Sequence, residues 1–329
     1  MKTPTRRTLV LGAAALPFAS HSTPARAQPG IYPSKTVRIV VPLSPGGSAD
    51  ALARLLAQGL TRVLGQTVIV DNKPGAGGVT GLLEVVKAPP DGYTLGYSLA
   101  GALTVAPHIA KAMPFDPLKD LAPLTQVVSV PEIVVVHPKL GVKTLAGLIA
   151  RAKAEPGHLN FGSAGNATVP HLAGELLKRE AGIAMVHVPY KGSGPALNDL
   201  LAGQIELMVS DVTLVRSHIE AGRLIGLAVA GPARLAELPA VPTAAQAGLA
   251  GMMVSNWHGM VAPPGTPPGL LALLREAVRK ALALPEVAGR VEHEGAEVVA
   301  STPAEFAAFL RKESVTWAGL VKSLPVRWE

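Results

Sequence analysis

Short runs of β-branched and aliphatic residues alternate along the chain with longer stretches of helical periodicity. The runs cover residues 36–41, 67–70, 133–136, 185–188 and 224–229, and glycine, proline or polar residues bound each of them, as is typical of buried strands. Because strands that alternate with helices form layered sheets, mainly parallel, the pattern predicts an α/β fold.

Two helices have clear boundaries in the sequence. Residues 49–64 place their leucines on one helical face, and Gly65 follows as a stop. Further along, Thr302, Pro303 and Glu305 combine an N-cap, a proline at the first helical position and a glutamate that reaches back to the cap. The sequence therefore predicts a strand-turn-helix unit early in the chain and a capped helix near its end.

The number of predicted strands indicates more than one core. About ten strands over roughly 300 residues exceed what one small core usually holds, so we predict two lobes. Turn-forming residues adjoin strands at Pro131 and within 255–263, where we place the crossings between lobes. Lobe 1 then comprises 28–130 plus 256–329, and lobe 2 comprises 131–255.

Residues 1–27 have the order of a secretory signal peptide. Basic residues come first, an apolar run follows at 8–19, and an A-x-A cleavage site ends at Ala27. Arg6 and Arg7 predict twin-arginine export, and an ordinary Sec signal is the alternative. This leader holds four basic and no acidic residues, so its removal lowers the formal net charge from +7 to +3. We expect an exported protein, periplasmic if the host is a Gram-negative bacterium.

The composition excludes several classes of protein. The chain has no cysteine, which rules out disulfides, a thiol nucleophile and a lipid anchor on an N-terminal cysteine. No apolar run reaches the ~20 residues that a membrane helix needs, so we expect a soluble protein that is not membrane-inserted. Aromatic residues make up only 4%, too few for a base-stacking surface, so the pI near 9.7 does not indicate nucleic-acid binding.

A glycine-rich loop joins the first predicted strand to the first helix. Its Gly46 and Gly47 allow a tight turn that leaves the amides of the helix start facing the space beyond the strand, where they attract an anion. Ser44 and Ser48 can add hydroxyl donors. The alternative is that Ser48 only caps the helix while Asp50 complements its dipole.

A second loop, at residues 159–168, also places glycines and small polar residues between a predicted strand and a predicted helix. Ser163, Asn166 and Thr168 offer donors beside another predicted helix start, and His171 in that helix either donates to a ligand or caps and packs. If the two loops face each other across a cleft, they can hold a carboxylate, or both ends of a dicarboxylate, from two sides.

Further polar residues follow other predicted strands. Tyr190 and Lys191 come after one strand, where the lysine either meets a distal acid group or is solvated. Ser210 and Asp211 end another, and ligands of open α/β sheets lie beyond the carboxyl ends of the strands.

The sequence does not match the common enzyme motifs. Residues around Ser98 miss the G-x-S-x-G pattern by one glycine, and a dinucleotide-type glycine loop would need glycine where Thr80 stands. The histidines form no H-E-x-x-H motif, and no P-loop occurs. We therefore predict no catalytic residue, no metal and no cofactor.

The chain resembles the tripartite tricarboxylate transporter receptors, also called the Bug or TctC family, over essentially all of its length after the leader. Each matching stretch is weak alone, but their order and spacing are specific. They are residues 32–35, 45–47 with Asp50, 71–78, 90–93, 162–166, 187–192, 203–204 and 262–267.

The resemblance implies a two-lobed α/β periplasmic binding protein of type II, Venus-flytrap-like, with a sheet and flanking helices in each lobe. It implies capture of a small carboxylate between the 45–47 and 163–168 loops and its delivery to the membrane subunits of the transporter, and we expect a monomer. The predicted ligand-binding residues are Leu43, Ser44, Gly46, Gly47, Ser48, Asp50, Ser98, Ser163, Gly165, Asn166, Ala167, Thr168, His171, Tyr190, Ser210 and Asp211.

Two departures from the family pattern fall near the expected cleft. The acid at Asp211 is shifted by one position relative to many members, and His258 follows Trp257 where another residue is frequent. A ligand-sensing component that signals to a membrane kinase would share every feature named above, and a periplasmic hydrolase is a further alternative.

Overall fold

The computed structural model describes residues 32–324, so the predicted leader lies outside the described residues. The strands there are β1 Val37–Val41, β2 Val68–Asn72, β3 Thr94–Leu99, β4 Ala122–Val136, β5 Asn160–Ser163, β6 Val186–Pro189, β7 Leu207–Asp211, β8 Ile225–Val229, β9 Ser255–Ala262 and β10 Glu297–Val298. The α-helices are α1 Ser48–Leu64, α2 Val79–Val86, α3 Ala106–Ile109, α4 Leu145–Ala154, α5 Val169–Ala181, α6 Ser193–Ala202, α7 Val212–Glu220, α8 Pro268–Leu282, α9 Pro285–His293 and α10 Pro303–Ser323.

The first unit confirms the predicted strand-turn-helix. Val37, Ile39 and Val41 of β1 are fully buried, because the strand is covered on both faces. Helix α1 turns its leucine face to the core, and Gly65 ends it in a left-handed conformation whose N–H bonds the carbonyl of Thr61. The chain thus leaves the sheet at residue 41 and returns through a helix, which brings the 42–47 loop to one edge.

Strand β4 belongs to both halves of the sheet. Its first part, from Ala122 to Pro131, pairs with β9, and its second part, from Glu132 to Val136, pairs with β7 and β8. We call lobe 1 the half built on β1, β2, β3, β9 and β10, and lobe 2 the half built on β5 to β8. The described chain from Pro33 forms one compact unit, so the lobe boundaries drawn from the sequence stay a prediction.

The sheet is more mixed than the sequence predicts. Parallel pairing joins β1 with β2 and β3, and β5 with β6 and β7. Every pairing that involves β4 is antiparallel, as is the pair β3 with β9. The predicted parallel pairs are present in both lobes, and every antiparallel pair among the described strands involves β4 or β9, where the chain crosses between lobes.

The predicted capped helix forms as α10. The Thr302 side chain accepts from the Glu305 amide at 3.2 Å, and the Glu305 carboxylate accepts from the Thr302 amide at 2.8 Å. We expect Thr302→Ala to lower the free energy of unfolding by about 1 kcal/mol, because it leaves helix-start amides unpaired. Thermal unfolding checks this against Thr316→Ala, an exposed threonine of the same helix outside the cap. Equal melting temperatures would contradict the cap's contribution.

Candidate functional site

A small cavity of about 20 Å³ lies between the two lobes. From the lobe 1 side it is lined by Pro42, Leu43, Gly77, Leu99, Gly101 and Ala102. From the lobe 2 side it is lined by Ala164, Thr168, Val169, Pro170, Ser193 and Asp211, and Asn256 at the start of β9 completes it. The lining is mostly apolar and backbone, and Asp211 is its one acidic residue among those described.

Two helix starts of lobe 2 meet this cavity. Helix α5 begins at Val169 after Thr168, and α6 begins at Ser193 after Gly192. Among the described residues no side chain caps either start. First-turn amides have no partner within their own helix and carry the positive end of its dipole, so both starts favour an anion in the cavity.

Lobe 1 closes over these starts through backbone contacts. The Ser44 amide donates to the Lys191 carbonyl at 3.0 Å. A Cβ added at Gly101 would lie 2.8 Å from the Ala167 carbonyl oxygen, and one at Gly194 would lie 2.8 Å from the Gly46 carbonyl carbon. The absence of side chains at these glycines is therefore what lets the two lobes touch.

Three of the hydroxyl groups predicted to bind ligand, those of Ser163, Thr168 and Tyr190, are bonded within the protein. Ser163 accepts from the Gly165 amide at 3.1 Å and lies 2.6 Å from His187 Nε2. Thr168 donates to the Gly165 carbonyl at 2.7 Å, and Tyr190 donates to Asp199 at 2.6 Å. These side chains shape the 163–168 loop and its neighbour, and the backbone remains as the source of donors.

The other predicted residues divide among four places. Leu43, Thr168 and Asp211 line the cavity between the lobes. Asn166, Ala167 and His171 line a second cavity beside it, and Gly46, Gly47 and Ser48 border a separate groove along α1. The remaining two serines, Ser98 and Ser210, are fully buried in strands.

Asp50 is engaged at the start of α1. It accepts from the Gly46 amide at 3.0 Å and pairs with Arg54 at 2.9 Å. Ser48 occupies the first helical position after Gly47, and no side chain of the described residues caps this start. The Asp50 carboxylate therefore accepts a hydrogen bond from the Gly46 amide, one of the loop amides predicted to bind a ligand.

A buried polar cluster adjoins the cavity. Asp211 accepts from Asn256 Nδ2 at 2.8 Å and from the Ser48 hydroxyl of lobe 1. His258 Nε2 lies 3.5 Å from Asp211, and its Nδ1 lies 3.1 Å from the Tyr97 hydroxyl. The Ser48 contact ties α1 of lobe 1 to β7 of lobe 2.

Glu132 sits opposite Asp211 on the neighbouring strand, and both are buried. Burial, followed by the nearby Asp211 carboxyl, raises the pKa of Glu132 well above its ordinary value. Burial alone would raise the pKa of Asp211 as well, but His258, Ser48 and Asn256 lower it below its ordinary value. The fold therefore favours the neutral form of Glu132 and the charged form of Asp211.

Several lining residues lie outside the set predicted from the sequence. Gly77 stands in the glycine loop that was compared with a dinucleotide motif, and Ser193 follows the Tyr190-Lys191 segment directly. Asn256 was considered only as part of a crossing between lobes. Each adjoins a segment that the sequence singles out, but only strand pairing brings them to one cavity.

The described residues contain neither a metal cluster nor a membrane span. No group of three or more histidine, aspartate or glutamate side chains in 32–324 could hold a metal ion. None of the helices there is both long and apolar enough to cross a bilayer.

Comparison with known proteins agrees with this architecture. Residues 52–326 match the model of the "Tripartite tricarboxylate transporter family receptor". BugT of Bordetella pertussis is 39% identical over 292 residues, which are 88% of this chain and 90% of BugT. The structure of MatC from Rhodopseudomonas palustris with bound malate is 31% identical, with a TM-score of 0.85, and the match covers 88% of this chain and 100% of that one. Another R. palustris structure, with adipate, is 32% identical with a TM-score of 0.86, covering 88% and 97%.

Two lobes that share one strand and enclose a cavity define a periplasmic binding protein fold. This chain belongs to the tripartite tricarboxylate transporter receptor family, which consists of periplasmic solute-binding receptors and not of enzymes. The family resemblance drawn from the sequence motifs and the predicted fold class are confirmed.

Proposed function

We propose that this chain is a periplasmic receptor that captures a small carboxylate between its lobes and delivers it to the membrane subunits of a tripartite tricarboxylate transporter. The observation that carries the proposal is the convergence of the uncapped α5 and α6 starts on one cavity that glycines of lobe 1 close. Amides fixed by helices are aimed at the guest before it binds, which reduces the cost of ordering them.

The negative charge of Asp211 in the cavity is compatible with a bound carboxylate. Asp211 is ionised, but Ser48 and Asn256 donate to its carboxylate and His258 lies beside it. The guest carboxylate belongs at the helix starts marked by Val169 and Ser193, where the local potential is positive. MatC with malate and the relative with adipate are receptors of this family with organic acids bound, which supports a carboxylate here.

Thermal unfolding of the purified protein tests capture. A ligand at 100 times its Kd adds about 2.7 kcal/mol to the free energy of unfolding, which raises the melting temperature by several degrees. We expect such a rise with at least one organic acid and none with its amide or alcohol analogue. Unchanged melting temperatures across mono-, di- and tricarboxylates would contradict carboxylate capture.

Delivery needs a separate measurement. Cells that lack this gene should lose uptake of the radiolabelled acid identified by thermal unfolding, and should regain it with the wild-type gene. Normal uptake in the deleted strain, together with lost transcriptional induction by the same acid, would contradict delivery and indicate sensing.

A further inference from the structure

A second cavity, of about 570 Å³, opens next to the first. Apolar side chains dominate its lining, among them Val79, Ala106, Ile109, Met113 and Ala167. Its volume is sufficient for a drug-sized organic group. The proposed capture of a carboxylate at the helix starts does not use this space.

The 163–168 loop lies between the two cavities, because Thr168 lines the first and Ala167 lines the second, and lobe 1 contacts this loop through backbone atoms. Gly77 packs against the carbonyl of Asn166, and Gly101 packs against the carbonyl of Ala167. Neighbouring residues at these contacts line different cavities. Gly77 lines the first cavity, and Ala76 lines the second. Part of the wall therefore forms where the two lobes meet, so a guest that spans both cavities needs incomplete closure at this point.

The second cavity carries almost no charge. Its buried acid, Glu175, is paired with Lys178 at 2.8 Å. The rings of His171 and His187 stack with centroids 3.8 Å apart. Burial lowers the pKa of His171 to about 3 and that of His187 to about 4, so both rings are neutral at pH 7. Among the described lining residues, Lys111 is the remaining cation, and it is exposed.

We infer that the guest is a monocarboxylate with an apolar tail, an alkyl chain or an aryl group, and that this tail occupies the second cavity. The inference rests on the proposed function, because the carboxylate end is held at the α5 and α6 starts. A second carboxylate on the tail would lose its hydration among methyl groups and neutral rings without gaining a buried cation as its partner. An apolar tail gains affinity there, by about fourfold for each buried methylene, and an aryl ring can also stack on flat side chains.

Calorimetric titration with acids of matched length tests this. The probes are acetate, butanoate, hexanoate and 3-phenylpropanoate as monocarboxylates, with succinate and adipate as the dicarboxylates of equal carbon number. We expect hexanoate to bind tighter than butanoate by about 15-fold, hexanoate to bind tighter than adipate, and 3-phenylpropanoate to bind tighter than acetate.

A charge placed in the second cavity should reverse the preference. Ile109 is half-buried and lines the cavity, so Ile109→Lys should weaken hexanoate binding and tighten adipate binding. Ile149→Lys is the matched control, since Ile149 is also half-buried against the core but lies on α4. The control should keep the wild-type order of affinities.

The outcomes separate the two proposals. Tighter binding of adipate than of hexanoate by the wild-type protein would overturn this inference and leave the proposed function intact. If Ile109→Lys and Ile149→Lys change the order of affinities in the same way, this inference is likewise overturned and the proposed function stays intact. Binding of none of the six acids would overturn this inference, and unchanged melting temperatures with tricarboxylates as well would overturn the proposed function with it.

Discussion

Gly194→Ala should prevent full closure of the lobes and leave the unliganded protein folded. Gly194 lies in the first turn of α6, where alanine favours the helix by about 0.5–1 kcal/mol over glycine. Across the cleft, however, the added Cβ would lie 2.8 Å from the Gly46 carbonyl carbon and 2.9 Å from the Pro45 oxygen. Both are backbone atoms, so the contact cannot be relieved by a side-chain rotation.

Forcing an extra carbon into such a contact costs about 1–3 kcal/mol, which corresponds to a roughly 5- to 100-fold rise in Kd. Calorimetric titration measures the change in affinity, and small-angle scattering measures whether the ligand still compacts the protein. Gly289→Ala is the control, because its Cβ would meet no atom of the described residues within 4 Å and it lies within α9. An unchanged Kd in Gly194→Ala would contradict closure through this contact.

Gly165 is a poorer position for the same experiment. Its φ is +122°, and an added Cβ would lie 2.8 Å from the Tyr190 carbonyl oxygen within lobe 2 itself. A substitution there strains the lobe whether or not it closes. Loss of binding would then not distinguish a blocked cleft from a distorted loop.

Glu132→Gln should stabilise the protein increasingly as the pH rises. The pKa of Glu132 is raised in the folded protein, so the fold keeps a proton that the unfolded chain releases above the ordinary glutamate pKa. The folded state therefore binds more protons, and wild-type stability falls as the pH rises from there toward the folded-state pKa, by up to about 1.4 kcal/mol per pH unit. Glutamine has nearly the shape of glutamate but no titrating proton. The free energy of unfolding of the variant should therefore not fall with pH in this way.

Melting temperatures of wild type and variant between pH 5 and pH 8 measure the effect as a difference that widens with pH. Asp211, His258 and Tyr97, which belong to the same cluster, are common to both proteins. Glu292→Gln, at an exposed position of α9, should follow the wild-type curve. Parallel curves for Glu132→Gln and wild type would show that Glu132 is ionised in the fold.

Local patterns predict the elements that local physics determines. The buried aliphatic run of β1, the leucine face and glycine stop of α1, and the capping box of α10 are each decided within a few residues, and each is observed. Strand β4 is different, because the sequence predicts a crossing between lobes at Pro131 and a strand only from residue 133. In the structure Pro131 lies inside the strand and pairs in register with Ser255 of β9.

The candidate site depends on pairings that no local pattern contains. Ser48 and Asp211 are 163 positions apart and meet only because the lobes close. Glu132 faces Asp211 through the register of β4 with β7, and His258 reaches the same cluster from β9. The sequence draws attention to the loops that adjoin the cavity, and the fold decides which of their atoms face it.

Strand β4 also limits how this molecule can be cut or recombined. Its 15 residues supply pairing partners to both lobes without a break. A fragment that ended near residue 131 would leave an unpaired sheet edge in each product, which is a template for aggregation. Chimaeras between relatives should therefore transfer β4 and β9 as a unit, because neither half of this receptor is an independent module.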